Sequence, residues 1–320
     1  MLEAIPKRSG AIDLVRIIAV AAIVAGHVFT RDLTGDLLYT WHVAVFFVLS
    51  GYLWKPGRSF RTELSRRWRS LGRPYLAGFV LLTVALLPMG FADTPQRILG
   101  GLYGGGAAGM PYITLWFIST LFFTALLLRL IERLPLALQW ALGIAGAVAG
   151  WIWGSALSDT PLGIGMAATS LIYLLIGDAL RRVRDRVRAP ALTGILLIVT
   201  GAALVATGLS DFIDIKQGHY GTPALSLIAS AAISTGLILL AESTVRPGRF
   251  SQVCTLLALP LLTIVLLHPV FLWTPWPAWP TFAAAMLVPL AIGLVALRTP
   301  LSPWLTGQAR LRRPPAGTAR

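Results

Sequence analysis

Long apolar segments recur along the chain at lengths that suit membrane-spanning helices. Such a helix needs about 17–25 mostly apolar residues to cross the hydrocarbon core of a bilayer. Ten segments reach that length, near residues 12–30, 37–54, 74–91, 112–129, 134–153, 162–180, 190–209, 222–241, 252–273 and 279–297. This pattern predicts an all-α integral membrane protein with about ten transmembrane helices.

Basic residues follow an alternating pattern between these segments. With the N-terminus placed in the cytoplasm, 23 of the 27 Lys and Arg residues fall on the inner side and three, Arg31, Arg97 and Lys216, on the outer side. Short cytoplasmic connections of membrane proteins are enriched in Lys and Arg. The distribution therefore predicts cytoplasmic N- and C-termini. The outer connection from Gly100 to Gly109 is rich in glycine, which favours an irregular loop over a flexible lid.

Composition and charge narrow the class of protein further. Charged residues make up 12% of the chain, against about 25% in soluble domains, so we expect a lipid bilayer as a partner. The net charge of +14 does not indicate nucleic-acid binding, because the basic residues lie between apolar segments. We expect residues 1–305 to form one transmembrane domain and residues 306–320 a basic, disordered cytoplasmic tail. A composition rich in Ala, Arg and Trp favours the cytoplasmic (inner) membrane of a bacterium.

The first apolar segment carries three ionisable residues, Asp13, Arg16 and His27. Arg16 and His27 are eleven positions apart, which is three helical turns, so they share one helix face roughly 16 Å apart along the axis. Asp13 lies three positions before Arg16 and is placed to pair with it. An alternative is an interfacial ion pair whose charged ends reach the water.

Three histidines, His27, His42 and His268, fall at a similar depth near the outer ends of their segments. An imidazole is suited to proton transfer near neutral pH, although a lone histidine on an apolar face is more often a satisfied core residue. No acidic residue or cysteine within the segments joins them at ligand spacing. The sequence therefore predicts no metal site.

A basic block follows the second segment, which ends in Ser50-Gly51-Tyr52. Seven basic residues lie between Lys55 and Arg73, against the single acid Glu63. Guanidinium groups pair with phosphate oxygens in a bidentate manner, so this block is suited to binding phosphates. The alternative is that it anchors the topology and binds anionic lipids. Ser50 and Gly51 are also small enough to permit close helix packing.

Taken in order, these motifs resemble acyltransferase family 3. The resemblance is carried by Asp13-x-x-Arg16 and His27, by His42-x-x-x-Phe46-Phe47-x-x-Ser50-Gly51-Tyr52, and by the Arg-rich stretch that ends in Leu71-x-x-Pro74-Tyr75. Two weaker landmarks are Leu115-Trp116-Phe117-Ile118 and His268-Pro269. The chain departs from the family at Ala44, where many members have Pro, and at Thr114, where His is common.

The resemblance implies a ten-helix enzyme that moves an acyl group, usually acetyl from acetyl-CoA, to a hydroxyl of an envelope or exported carbohydrate. Acyl-CoA would be a co-substrate, and no bound cofactor is expected. Arg16 and His27 would be the essential Arg-x10-His pair of the family. Arg66 and Arg69 would form its Arg-x-x-Arg element, although Arg58 and Arg61 have the same spacing.

These expectations assign a role to each candidate residue. His27 would act as a general base or carry a transient acyl group, with Arg16 and Asp13 completing the catalytic set. Acyl-CoA would be bound by Arg16, Arg66, Arg69, Arg73, Ser50 and Tyr52. The acceptor or a secondary site would involve His42, Trp116 and His268.

The alternative function is a multi-pass transporter or exporter of a sugar or lipid-linked intermediate. Ten helices with buried charges also describe many carriers. The clustering of intramembrane charges in one helix, without paired broken segments in two matching halves, favours the enzyme.

Overall fold

Helices form most of the computed structural model, which describes residues 8–29 and 32–311. In these ranges the chain forms no sheet, and one isolated antiparallel bridge pairs Asp214 with His219. The helices are α1 (Gly10–Val28), α2 (Asp32–Tyr39), α3 (Ala44–Tyr52), α4 (Phe60–Arg67), α5 (Arg73–Leu86), α6 (Thr94–Tyr103), α7 (Leu115–Ile131), α8 (Leu136–Ser158), α9 (Ile164–Val183), α10 (Pro190–Ala206), α11 (Leu225–Thr244), α12 (Arg249–Ala258), α13 (Leu261–Leu267), α14 (Ala278–Ala296) and α15 (Ser302–Leu305).

Seven helical segments in the described part of the chain are long and apolar enough to cross a membrane. They are Gly10–Val28, Phe60–Met89, Leu136–Ser158, Pro161–Arg186, Leu225–Thr244, Arg249–Trp273 and Ala278–Ala296, and the apolar helices α7 and α10 are shorter. The prediction of an all-α membrane protein is confirmed. The predicted segment 37–54 is divided between α2 and α3 by a turn at residues 40–43. The count of ten spans and the cytoplasmic termini stay predictions.

The basic block is helical, whereas the sequence pattern placed it in a connection between spans. Helix α4 begins where the Ser59 side chain accepts a hydrogen bond from the backbone N–H of Thr62, a favourable N-cap. A single π-helical turn at residues 68–72 joins α4 to α5. This turn precedes Pro74, which has no N–H to donate within a regular helix. Five arginines of the block, from Arg61 to Arg73, therefore lie on a helix that continues into the third apolar segment, whereas Arg58 precedes it.

The glycine-rich connection is packed, so the expected loose loop is wrong. The first residues of this connection, Gly100 to Tyr103, belong to helix α6. Gly105 has a φ of +58°, and a Cβ atom there would lie 2.6 Å from the carbonyl oxygens of Ser158 and Thr160. Glycine is needed at this position because a side chain would collide with the backbone that joins α8 to α9.

Helix α9 lies at the centre of one half of the bundle, packed against α3, α7 and α8. Its closest approach is to α3, at Gly51 and Gly177. A Cβ on Gly51 would lie 1.9 Å from the carbonyl oxygen of Leu174, and one on Gly177 would lie 1.9 Å from that of Val48. Small residues at such crossings allow helix backbones to approach closely in membranes.

Helix α1 forms the centre of the other half, in contact with α11, α12, α13 and α14. The chain after α15 folds back onto this half, where the backbone N–H of Leu311 donates to the carbonyl oxygen of Leu297. Residues 312–320 of the predicted basic tail lie outside the described residues. The division of the chain into a domain and a tail stays a prediction.

Replacing Gly51 by Ala is expected to destabilise the protein by about 2 kcal/mol or more, because the added methyl group overlaps the backbone of α9 and the helices must separate. The measurement is thermal unfolding in detergent, together with the monodisperse fraction on size exclusion. Gly109→Ala is the matched control, since a Cβ at Gly109 meets nothing within 4 Å. Equal stability of the two variants would contradict the close crossing.

Candidate active site

A cavity of about 210 Å³ lies at the ends of α1 and α7, with the turn between α2 and α3 on one side. It is called the outer cavity because the sequence predicts that these helix ends face the outer side. A loop at residues 213–217 closes another side. Three residues expected to be functional line this cavity, His27, His42 and Trp116, together with Tyr39 and Thr114. The structure thus brings together a base candidate and two of the three residues expected at the acceptor site.

His27 is hydrogen-bonded to His268, which extends from α13 behind the cavity. His27 Nδ1 lies 2.8 Å from His268 Nε2, and the two rings are stacked with centroids 5.1 Å apart. His268 is fully buried. The similar depth of His27 and His268, inferred from the sequence, therefore reflects a direct contact. The two residues are 241 positions apart in the chain.

The hydrogen-bond pattern assigns the tautomers of both rings. His268 Nδ1 lies 2.9 Å from the carbonyl oxygen of Ile264, which is an acceptor, so this nitrogen carries a proton. In a neutral ring Nε2 of His268 is then the acceptor, and His27 Nδ1 donates to it. Nε2 of His27 is left with a lone pair. The side chain that lines the outer cavity is therefore held in the form that accepts a proton.

His42 is held in a similar way by its own helix turn. Its Nδ1–H donates to the carbonyl oxygen of Leu38, and its ring meets Tyr39 edge to face with centroids 4.8 Å apart. Nε2 of His42 is then also a lone-pair nitrogen. Among the described residues no group of three or more His, Cys, Asp or Glu side chains is arranged to hold a metal ion.

The hydroxyl of Thr114 is a further polar group in this cavity. Thr114 occupies the N-cap position of α7, but its side chain makes no capping bond. It is 3% exposed, and its Oγ1 atom has no hydrogen-bond partner in the described part of the chain. A buried hydroxyl without a partner is costly. Thr114 therefore offers a hydrogen bond to whatever enters the cavity.

Charged residues of the 213–217 loop lie at the cavity wall. Burial lowers the pKa of the Lys216 ammonium, and the nearby Asp214 partly opposes this effect. Burial raises the pKa of the Asp214 carboxyl, against hydrogen bonds from the backbone and the charge of Lys216. Lys216 Nζ also donates to the carbonyl oxygen of Gly106, 3.2 Å away. These groups give the outer cavity polar partners that the sequence did not single out.

A second cavity of about 460 Å³ lies further along the same helices. It is called the inner cavity because the sequence predicts that this side faces the cytoplasm. Its walls are strongly basic, with Glu63 as the single acidic residue among the described lining residues. Six basic side chains line it: Arg16, Lys55, Arg58, Arg66, Arg67 and Arg69. The predicted Arg16, Arg66 and Arg69 thus meet in one place, whereas of the alternative pair Arg58 lines the cavity and Arg61 does not.

The predicted ion pair of Asp13 with Arg16 is present. Asp13 Oδ1 accepts hydrogen bonds from Arg16 Nη1 at 2.6 Å and from Arg8 Nη2 at 2.8 Å. Asp13 is completely buried, whereas the side chain of Arg16 is 23% exposed. Two arginines therefore share one carboxylate, and Arg16 keeps part of its surface for the inner cavity.

Glu63 is the centre of a second ionic cluster, which the sequence analysis did not identify. This buried carboxylate accepts hydrogen bonds from Arg67 Nε at 2.8 Å and Arg129 Nη2 at 3.3 Å, and Arg58 lies 3.7 Å away. Arg129 also binds Glu132 at 2.5 Å. The i to i+4 spacing of Glu63 and Arg67 was a usable signal. The contact with Arg129 joins α4 to α7 and has no signal in the sequence.

The remaining predicted residues divide between the inner cavity and other places. Ser50 lines the cavity and accepts a hydrogen bond from Arg67 Nη2 at 3.0 Å. Tyr52 is outside the cavity lining; its hydroxyl donates to Glu242 and accepts from Arg184 Nη1. Arg73 is also outside, with its guanidinium 5.8 Å from the ring centroid of Trp304. The structure therefore does not bring Tyr52 and Arg73 to the other arginines.

The fold and these two cavities define a multi-pass membrane protein with a basic inner site and a histidine-containing outer site. Residues 9–306 match the sequence profile of acyltransferase family 3, described as an acyltransferase domain. The chain belongs to this family, which makes it a membrane acyltransferase. No curated protein and no solved structure matches the chain.

Replacing Glu63 by Gln is expected to destabilise the protein by about 3–5 kcal/mol, because Arg67 and Arg129 would lose the buried carboxylate that neutralises them. The measurement is thermal unfolding in detergent. Asp185→Asn is the control, since Asp185 is 89% exposed in its pairing with Arg184 and is expected to change stability by less than about 0.5 kcal/mol. Similar losses in both variants would contradict a structural role for the Glu63 cluster.

Proposed function

We propose that this acyltransferase moves an acetyl or other acyl group from acyl-CoA to a hydroxyl of a carbohydrate acceptor. The observation that carries the proposal is the position of His27. His27 lines the outer cavity and has a lone pair on Nε2, whereas Arg16, on the same helix face, lines the basic inner cavity. The base and the binding site for anions are therefore at opposite ends of one helix.

The inner cavity is suited to the phosphate groups of CoA. Arg66 and Arg69 are exposed at its wall, so their guanidinium groups are accessible to a ligand from the water. Guanidinium pairs with phosphate oxygens through two parallel hydrogen bonds. CoA is a cytosolic solute, so this assignment places the inner cavity on the cytoplasmic side and the protein in the cytoplasmic membrane of a bacterium, as the sequence composition favours.

The transfer step needs one base. Nε2 of His27 removes the proton from the acceptor hydroxyl while its oxygen attacks the carbonyl carbon of the thioester. An ester C–O bond forms, the C–S bond breaks, and the proton passes from His27 to the departing thiolate of CoA. His268 positions His27 by accepting the Nδ1–H hydrogen bond. Arg16, held by Asp13, stays at the phosphate side of the donor.

The walls of the outer cavity favour a polyhydroxylated acceptor. Sugar hydroxyls need several donors and acceptors, and Asp214, Lys216 and Thr114 supply them. Tyr39 and Trp116 provide aromatic faces in the same cavity. His42 adds a lone-pair nitrogen. This combination of aromatic surface with a few placed polar groups is typical of small-molecule sites and supports a carbohydrate of the cell envelope as the acceptor.

Purified wild-type protein is expected to bind acetyl-CoA and to hydrolyse or transfer its acetyl group. The His27→Ala variant is expected to bind acetyl-CoA but to lose at least about 100-fold in turnover, because the base is absent. Arg16→Ala is expected to weaken donor binding about tenfold or more, because a charge-assisted hydrogen bond is lost. The measurements are binding calorimetry and release of free CoA from detergent-solubilised protein.

The matched control for these variants is His219→Ala. His219 lies in the outer loop, where Nε2 is 2.9 Å from Asp211 Oδ2, and it does not line the cavity. Full activity is expected for this variant. A wild-type protein without affinity for any acyl-CoA would contradict the donor assignment and favour a transporter, and an active His27→Ala variant would contradict the assignment of the base.

His268→Phe is expected to lower kcat at least about tenfold with little change in the KM for acetyl-CoA, because His27 loses the acceptor that fixes its tautomer. His268→Gln is expected to recover part of the activity, since the amide oxygen also accepts a hydrogen bond. The measurement is steady-state kinetics of both variants over a range of pH. A proportional change in KM without a change in kcat would contradict the positioning role.

A further inference from the structure

The inner and outer cavities lie along the same three helices. Helix α1 contributes Arg16 to the inner cavity and Ile23 and His27 to the outer one. These residues follow one face of the helix, at positions i, i+7 and i+11. One face of α1 thus forms part of the wall of both cavities. Arg16 and His27 lie about 16 Å apart along it.

Helices α3 and α7 show the same division along their lengths. On α3, Ala44 lies at the outer cavity and Ser50 at the inner one. On α7, Phe117 lies at the outer cavity and Leu121, one turn later, at the inner one. The cavities are therefore stacked end to end between α1, α3 and α7.

Two aromatic rings that touch each other lie one in the wall of each cavity. Phe46 of α3 lines the inner cavity, and Phe117 of α7 lines the outer cavity. The rings meet edge to face, with centroids 5.3 Å apart and an angle of 64° between their planes. Phe47 also packs edge to face against Phe117, with centroids 5.9 Å apart. No other ring of the described residues is paired with Phe46.

We propose that Phe46 and Phe117 form the gate through which the acyl end of the donor passes from the inner cavity to His27, and that this gate restricts the donor to short acyl chains. The inference rests on the proposed function, because it requires a donor bound at the arginines and a reaction at His27. The gate assigns the selection of donor chain length to these two side chains.

The size of the outer cavity supports a short acyl group. About 210 Å³ is below the roughly 300–1,000 Å³ of ordinary small-molecule sites, and the reacting end of the acceptor must share this volume. A narrow thioester arm separates the rings by small side-chain rotations. A longer acyl chain must find space beyond Phe117 that the cavity does not have.

A closed gate would also protect the thioester from hydrolysis. The inner cavity is charged and faces water, whereas His27 is a base that would activate water as readily as an acceptor hydroxyl. Apolar rings between the cavities keep inner water from the reacting carbon, and exclusion of water limits hydrolysis of reactive groups. An opened gate should therefore increase hydrolysis as well as the acceptance of longer chains.

The test compares Phe46→Ala and Phe117→Ala with wild type in detergent, with acetyl-CoA, propionyl-CoA, butyryl-CoA and hexanoyl-CoA as donors and free CoA as the product measured. We expect wild type to prefer acetyl-CoA or propionyl-CoA. In each variant we expect kcat/KM for butyryl-CoA relative to acetyl-CoA to rise at least about tenfold. We also expect faster hydrolysis of acetyl-CoA without an acceptor. Phe46→Leu and Phe117→Leu serve where an Ala variant does not fold, with smaller shifts in the same direction.

Phe123→Ala is the matched control. Phe123 is a half-buried ring on α7 that packs edge to face on Phe122, and it lines neither of the two cavities. Its chain-length profile should equal that of wild type. A wild-type enzyme that turns over acetyl-CoA, with gate variants whose chain-length profiles are unchanged, would overturn the gate while leaving the proposed function intact. A wild-type protein inactive with every donor would overturn both.

Discussion

A charged side chain inside a membrane protein is costly unless a partner or water meets it, and this constraint determines where the polar residues of this chain lie. Asp13 is completely buried and neutralised by two arginines. Glu63 is buried and holds Arg67 and Arg129. Both carboxylates are on helices that line the inner cavity. These two buried ionic clusters therefore lie at the end of the bundle that holds the inner cavity.

The Glu63 cluster separates two kinds of arginine that look alike in the sequence. Arg129 is buried, bound to two carboxylates and stacked over the ring of Trp54 at 4.1 Å, so it is a structural residue. Arg66 and Arg69 point to the accessible wall of the cavity. Because the buried arginines are already neutralised, α4 is held firmly against α7, and the exposed arginines are presented on a rigid helix. Rigid presentation lowers the conformational cost of binding a phosphate.

Much of the fold and part of the site could be predicted from the sequence, for reasons that depend on distance along the chain. Helical periodicity is local, so it correctly placed Arg16 and His27 on one face and paired Asp13 with Arg16. The depth of His268 also followed from helix length. Its hydrogen bond to His27 did not, because it joins segments that no local pattern relates. Tyr52 was assigned to the donor site from its motif, but α3 turns it toward Glu242 and Arg184 instead. The helical form of the basic block was missed because its charges resemble those of a connection.

The proposed reaction has to transfer an acyl group from the inner to the outer cavity without opening a continuous channel between them. A donor with several phosphates stays where cations are exposed, at Arg66 and Arg69, whereas an acceptor from the outer side meets His27. The two sites are about 16 Å apart along α1. The thioester end of the donor must therefore reach His27 while its phosphates stay at the arginines. An open channel over this distance would let water and ions follow the donor. The contact of Phe46 with Phe117 closes the path with apolar surfaces that ions avoid and that the thioester end of the donor must displace. The same apolar contact that stabilises the centre of the bundle therefore accounts for selective passage.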